Sequence, residues 1–416
     1  MNFAFKSIWK EKCRSLLTIL LISISVFLIL RVVTTSFAFK IQQKMIKSMF
    51  KTNMNRIYRL DFSSIPPGEE GEKINNIKEF AMSYENVSVS AYDETTLYFK
   101  ELKNNKEYRK RNATILKGTI LEDYPGISDV VMIEPNMLNY INFSLEENDF
   151  KPILIDGEEY LPLFVGSKYS DIIKVNTILT IEYNNVKYIV KGYLGDDDIW
   201  FNDSDPITNI PIKLSTKFFA PFSASDRTDN MTQLSTVGKI FINLGENKNY
   251  LKILEEIEEF ALNENVKMRI SNLAEFMELW EKSQKNIAKF GYILAFTITF
   301  CSLVSVIASL CVSVFLRKKE FGIRIAYGYS KKDIICSVIF ENLILVGIST
   351  IVVYMYYFLK VQAMKFTTVN VLLVTLKSYS LCIITIFALL VLIIISILPI
   401  KLISEYQPVD LIDGGE

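Results

Sequence analysis

Residues 317–333 read RKKEFGIRIAYGYSKKD and lie between two long apolar runs. Six of them are Lys or Arg, opposed by Glu320 and Asp333. A short, strongly basic loop between two membrane spans stays on the cytoplasmic side. The loop also has a pattern of its own. The cations Arg317, Lys318 and Lys319 lead into Glu320, Phe321, Gly322, Ile323 and Arg324, then Ala326, Tyr327 and Gly328. A segment needed only for topology requires neither two glycines nor alternating apolar residues. The plain reading is a charged turn. The functional reading is a short amphipathic helix on the inner membrane face that fits a groove in a soluble partner. Phe321, Ile323, Ile325 and Tyr327 would supply its apolar contact. Gly322 and Gly328 would permit close approach or a sharp turn. Glu320 and Arg324, spaced i to i+4, would pair on one face.

The apolar runs on either side set the architecture. A bilayer core of about 30 Å needs roughly 20 apolar helical residues. Residues 15–39, 290–316, 334–359 and 378–400 meet that length. The first contains Arg31, placed to snorkel to the headgroups; the third contains Glu341. The first run is too long for a signal-peptide core and no A-x-A-like site follows it, so it reads as an uncleaved anchor. Basic flanks then place both termini in the cytoplasm and the long middle segment outside. Lys40, Lys44, Lys47 and Lys51 oppose this, but long domains translocate largely regardless of charge.

Composition agrees with a membrane protein that carries a sizeable outer part. Half of the 416 residues are hydrophobic and the net charge is zero. Residues 40–285 hold 30 basic and 38 acidic residues, and the remainder 16 basic and 8 acidic. There is no histidine, which removes the commonest general base and zinc ligand. The five cysteines, Cys13, Cys301, Cys311, Cys336 and Cys382, lie in or beside the apolar runs. The middle segment therefore has no disulfide and must rely on its core. No basic stripe with interleaved aromatics suggests nucleic acid. No G-x-S-x-G elbow or histidine-activated nucleophile is visible, so neither enzyme activity nor a catalytic, cofactor or metal residue is expected.

The middle segment reads as mixed α and β. Residues 40–50 continue the first span as a helix. Strands are expected at 56–62, 87–92, 95–100, 240–244 and 266–270, and 178–183 with 187–193 form a hairpin through Asn184-Asn185. Pro66-Pro67-Gly68 is a turn. Residues 73–84 are helical, and Leu251, Leu254, Ile257, Phe260 and Ala261 form one apolar helical face. Asn272 followed by Glu275 has capping-box logic, and neither Pro nor Gly follows until Gly291. One nearly continuous helix over 273–316, roughly 65 Å long, is predicted. Glu341, about seven residues into its span, reads as a structural carboxylate reaching Lys331, Lys332 or a dimer partner, against a substrate or proton role. Asp196–Asp198 and Asn202–Asp205 read as a solvated acidic loop, since their spacing does not match a calcium loop.

These features carry a family resemblance. Residues 317–328 resemble the cytoplasmic loop of MacB/FtsX-like ABC transporter permeases, with Phe321 for the usual aliphatic residue and Tyr329 for a small one. Residues 3–30 resemble the family's amphipathic entry into span one. Residues 161–194 resemble its outer-domain glycine, helix and hairpin, and Pro399 and Pro408-Val409-Asp410-Leu411 its C-terminal exit. The resemblance implies an α+β membrane protein with four transmembrane helices and a large mixed outer domain between helices 1 and 2. Its parts would be 1–39, an amphipathic helix with span one; 40–286, a MacB-like outer domain with stalk; 287–404, an FtsX-like domain with spans two to four; and 405–416, a cytoplasmic tail. It further implies a bacterial cell-membrane subunit, working with a second permease and a cytoplasmic ABC ATPase. ATP would be bound by that ATPase, because this chain has no G-x-x-x-x-G-K-[ST]. Export or removal of an amphiphilic peptide, lipid or drug is the expected role. The alternatives are an FtsX-like regulator of a cell-wall hydrolase and an antimicrobial-peptide sensor.

Overall fold

The computed structural model describes residues 8–206, 208–363 and 371–405. The chain divides into two compact units. One is built from residues up to Ile41 and from Ser283 onward, the other chiefly from Gln42–Lys282.

The helices Lys12–Ser48, Leu273–Leu316, Lys331–Ala363 and Val371–Glu405 are long and apolar enough to cross a membrane, and residues up to Ile41 and from Ser283 of them belong to the first unit. Ile22, Val26 and Leu30 form an i+4 stripe on the first helix. It packs with Val306 and Leu310, Val346 and Val353, and Ile384, Val391 and Ile395 of the others. Outward positions such as Phe296, Phe300, Leu389 and Ile393 are exposed and equally apolar. A helix apolar on every side suits a hydrocarbon surrounding. A Cβ at Gly291 would come within 3.3 Å of Val32, so glycine there lets the first two helices approach closely. Polar side chains tie the bundle at intervals. Thr34 and Ser380 hydroxyls lie 2.9 Å apart, and Asn342 Nδ2 donates to Ser396 Oγ at 3.1 Å.

The apolar run 378–400 lies within the last long helix, which is described from Val371 to Glu405, passes through a π-type turn at Leu376–Ser380 and holds Pro399 in its interior. Residues 3–7 of the amphipathic entry, Pro408 and most of the 405–416 tail lie outside the described residues.

The second unit is a mixed sheet. Its strands are β1 (Ile57–Ser64), β2 (Ser88–Leu97), β3 (Ser128–Ile133), β4 (Ile153–Ile155), β5 (Glu158–Gly166), β6 (Ile178–Thr180), β7 (Lys187–Leu194), β8 (Ile199–Trp200), β9 (Ile212–Lys213), β10 (Phe218–Pro221), β11 (Ile240–Asn243) and β12 (Lys267–Asn272). Ten strands join in the order β12-β1-β11-β2-β3-β10-β5-β7-β6, with β4 beside β5, and β8 pairs β9 separately. The β12-β1-β11-β2 edge is antiparallel, and helices Glu70–Met82 and Tyr250–Asn263 connect β1 to β2 and β11 to β12. That is a split βαβ arrangement with a long insertion between β2 and β11.

Strand alternation sorts the side chains into layers. Tyr58, Leu60, Val89, Ala91, Ile240 and Ile242 face the two helices. Val130, Met132, Leu163, Val165, Phe218 and Ala220 share a second layer with Tyr108, Tyr169 and Tyr188. Their neighbours Tyr92, Val131, Ile133, Phe164, Phe219 and Phe241 turn to the opposite face, where they meet Trp200 and Phe201. Ile46 and Met49 from the end of the first helix, and Leu273 and Met277 from the start of the long one, enter that same core.

The long helix spans Leu273–Leu316, as its cap and uninterrupted sequence predict. Asn272 Oδ1 accepts from the N–H groups of Ala274 and Glu275 at 3.0 and 3.1 Å. The β6-β7 hairpin forms, with Asn185 at φ 58°. The two expected strands over 87–100 are the single strand β2, and a helical turn begins at Lys100. Leu251 is exposed, and Ile253 takes its place in the buried stripe with Ile257 and Ala261. The acidic loop is not simply solvated. Asp196 accepts from Ser215 Oγ at 2.6 Å, Asp198 from Gly195 N at 2.6 Å, and Asp203 pairs with Lys239.

Burial decides which ion pairs matter. Lys217 is buried between Glu94 and Asp129, whereas Lys103 and Glu182 pair in the open. Replacing Lys217 with Ala leaves two carboxylates uncompensated and should cost about 3–5 kcal/mol in chemical denaturation of the detergent-solubilised protein. Lys103→Ala should cost about 0–1 kcal/mol in the same measurement.

Candidate coupling site

The basic loop folds as predicted into a short helix, Lys318–Ala326. Its end is set by Gly328, at φ +91°. Tyr329 N donates to Arg324 O at 3.1 Å and Gly328 N to Ile325 O at 2.9 Å, which together form a Schellman stop. Ser330 starts the next helix. Its hydroxyl accepts from Asp333 N at 3.2 Å, while Asp333 Oδ2 accepts from Ser330 N at 2.9 Å. Reciprocal capping within six residues of Arg324 makes the corner tight.

The apolar residues of this helix divide between two faces. Phe321 is 1 % exposed and packs with Val314, Ile334, Val338 and Ile403; Ile325 lies against the same cluster and Gly322 is buried. Ile323 and Tyr327 point outward, 58 % and 83 % exposed. Lys319 and Ala326 are exposed beside them and Lys318 is partly so. The expectation that Phe321, Ile323, Ile325 and Tyr327 act together is therefore corrected. Residues 319, 323, 326 and 327 form the offered stripe, because i+4 and i+7 spacing returns to one side of a helix.

A chain of alternating charges lies behind the helix. Glu341, with 3 % of its side chain exposed, receives Arg14 on one oxygen at 2.6 Å and Arg317 on the other at 2.9 Å. Arg14 also meets Glu11 at 2.6 Å, and Ser313 Oγ donates to Glu11 at 3.3 Å. Arg317 lies 4.0 Å from Glu320 and over the Phe321 ring at 5.0 Å. Glu320 accepts from Arg324 at 3.1 Å, the i to i+4 pair read from the sequence. The series runs Glu11, Arg14, Glu341, Arg317, Glu320, Arg324. It joins the first helix, the foot of the long helix, the short loop helix and the third long helix.

Glu341 is paired with Arg14 and Arg317, where the sequence pointed to Lys331, Lys332 or a dimer partner. Lys331 instead donates to Ser404 O at 3.2 Å. Arginine suits a buried carboxylate better, because its planar fork is weakly hydrated and directional. Neither Arg14 nor Glu11 was among the residues expected at this site. Their i to i+3 spacing ahead of an apolar run was the available signal.

Residues 292–408 match the family model of the FtsX-like permease C-terminal domain. No curated protein matches the chain. The match identifies the segment with the loop helix and the last three long helices as an FtsX-like permease domain, in keeping with the MacB/FtsX-like family. It supports an ABC-transporter permease type of role at a membrane, and such permeases generally work with a cytoplasmic ABC ATPase.

Removing the shared acceptor leaves two arginines facing one another in a buried place. Glu341→Ala should lower stability by about 3–5 kcal/mol, and Arg14→Ala, which leaves Glu341 its Arg317 partner, by less. Thermal melting in detergent micelles reads the order. Equal, small losses would show the network to be inert.

Proposed function

We propose that this chain is the permease subunit of a MacB-like ABC transporter in a bacterial cell membrane, with both termini cytoplasmic. It couples ATP hydrolysis by a separate cytoplasmic subunit to movement of the outer mixed unit. A second permease, identical or not, completes the assembly. The cargo class is an amphiphilic peptide, lipid or drug, exported or removed. The chain itself performs no catalysis and holds no nucleotide.

One observation supports this most. The loop helix offers Lys319, Ile323 and Tyr327 on one face while its other face and its charges are locked into three long helices. A push on an element held in this way moves its neighbours with it. Lys12–Ser48 and Leu273–Leu316 each run unbroken from the bundle residues to side chains in the core of the mixed unit. They are suitable transmitters of that movement.

Ile323→Asp with Tyr327→Asp should release a co-purifying ATPase by at least about ten-fold in affinity, since each apolar anchor of an interface is worth more than about 1 kcal/mol. Membrane insertion should be unchanged. Undiminished capture of the ATPase would overturn the docking role. Gly328→Val has open space for its side chain but forces a β-branched residue to φ +91°. That strain, about 1–3 kcal/mol, should uncouple ATPase activity from transport without stopping insertion. Normal ATP-dependent function of the variant would contradict it.

A further inference from the structure

A cleft of about 540 Å³ in the mixed unit is lined by residues of helix Glu70–Met82 and of segments 134–136 and 147–152, and falls within the size range of a small-ligand site. Asn136 sits in its wall. Its Nδ2 donates to Val89 O at 2.8 Å, which fixes the side-chain amide. The Oδ1 is then buried, and among the described residues nothing donates to it. A buried acceptor without a donor is costly, and a ligand that brings an N–H or O–H removes the cost. The charges nearby are already answered. Lys78 and Glu134 form a buried ion pair, and the second Glu134 oxygen accepts from Ala91 N at 3.0 Å. The other charged residues of the lining, Lys151 and Arg227 against Glu79 and Glu147, are exposed and balance in sign. Such a lining favours neither a free anion nor a free cation. Met82, Val89 and Phe150 add apolar surface. A neutral amide N–H next to an apolar side chain fits this set.

Strand β4 supplies an independent observation. Pro152 lines the cleft, and β4 starts at the next residue, Ile153. This strand pairs with β5 alone. Ile155 and Glu158 close its two-residue turn, with Asp156 and Gly157 at φ 51° and 84°. They are the hydrogen-bonded pair, so the preceding residue, Leu154, turns its N–H and C=O away from β5. Its side chain is 76 % exposed, and among the described residues no hydrogen bond reaches that outward edge. An open strand edge takes an extended peptide through main-chain hydrogen bonds. Two residues of strand, about 7 Å, separate Leu154 from Pro152 in the cleft wall.

We propose that the mixed unit binds an extended peptide, with one main-chain N–H donated to Asn136 Oδ1, an apolar side chain against Met82 and Phe150, and neighbouring main chain along Leu154. The site lies wholly within residues 75–227. It rests on the proposed transport role only in making peptide the cargo class. Binding is read without an ATPase, so its failure leaves the docking role of the loop helix untouched, and loss of docking leaves this site untouched.

The test is calorimetric titration of the full chain in neutral detergent micelles with an acetylated and amidated alanine-leucine-alanine tripeptide. Its ester analogues, each with the N–H of one residue replaced by oxygen, are titrated beside it. Saturable binding is expected for the tripeptide, and about ten-fold weaker binding for at least one ester, whose oxygen leaves Asn136 Oδ1 without a donor. The esters enter micelles at least as readily, so detergent does not produce that order. Asn136→Leu should weaken the tripeptide about ten-fold, although it also strips Val89 O of its donor. Leu154→Pro should weaken it several-fold. That variant removes an outward N–H and an exposed side chain, a place where a strand edge tolerates proline, so it keeps the fold if the Asn136 variant does not. Equal binding of the tripeptide and every ester would mean micelle partition only and overturn the proposal. So would the absence of saturable binding, or wild-type affinity in both variants.

Discussion

A carboxylate removed from water has to be answered by charge, and in this protein Glu341 is answered twice. Arg14 and Arg317 each take one of its oxygens. Breaking a buried pair is far more costly than losing a surface one, because the remaining charge cannot return to solvent. The consequence is geometric. The start of the first helix, the foot of the long helix and the third long helix are held at one point by a group that tolerates little displacement. Arg317 carries the series on to Glu320 and Arg324, so the loop helix is fastened as well.

The mixed unit is organised by a different constraint, the two-residue period of a strand. Adjacent residues must face opposite layers. Val131 and Phe219 therefore enter the aromatic core while Val130 and Phe218 enter the layer behind. The aromatic face is continuous across β11, β2, β3, β10 and β5, and helix ends supply Ile46, Met49, Leu273 and Met277 to it. A close-packed core transmits displacement poorly to one side chain alone and well to the set. The ends of both helices are thus part of one packed body.

Legibility followed how local each determinant was. The long helix was readable to its ends because Asn272 caps it and no breaker follows until Gly291. The Glu320–Arg324 pair was readable because four residues make one helical turn. Which of Phe321, Ile323, Ile325 and Tyr327 faces out was not, since all are apolar and only the neighbouring helices decide the side. Leu251 failed for a similar reason: Ile253 has the same character, and the sheet it packs on selects the stripe. The acidic loop looked solvated because its partners Ser215 and Lys239 come from residues distant in sequence.

Taken alone, the sequence determined the apolar lengths, the basic loop, the bounds of the long helix and most of the alternating strands, because each depends on residues within a few positions of one another. The tertiary structure decided the partners of Glu341, the outward stripe of the loop helix and the sharing of two lysines among four carboxylates. Those depend on groups up to 327 positions apart along the chain, as Arg14 is from Glu341. Burial gives such contacts their energy, and burial exists only once the chain has packed.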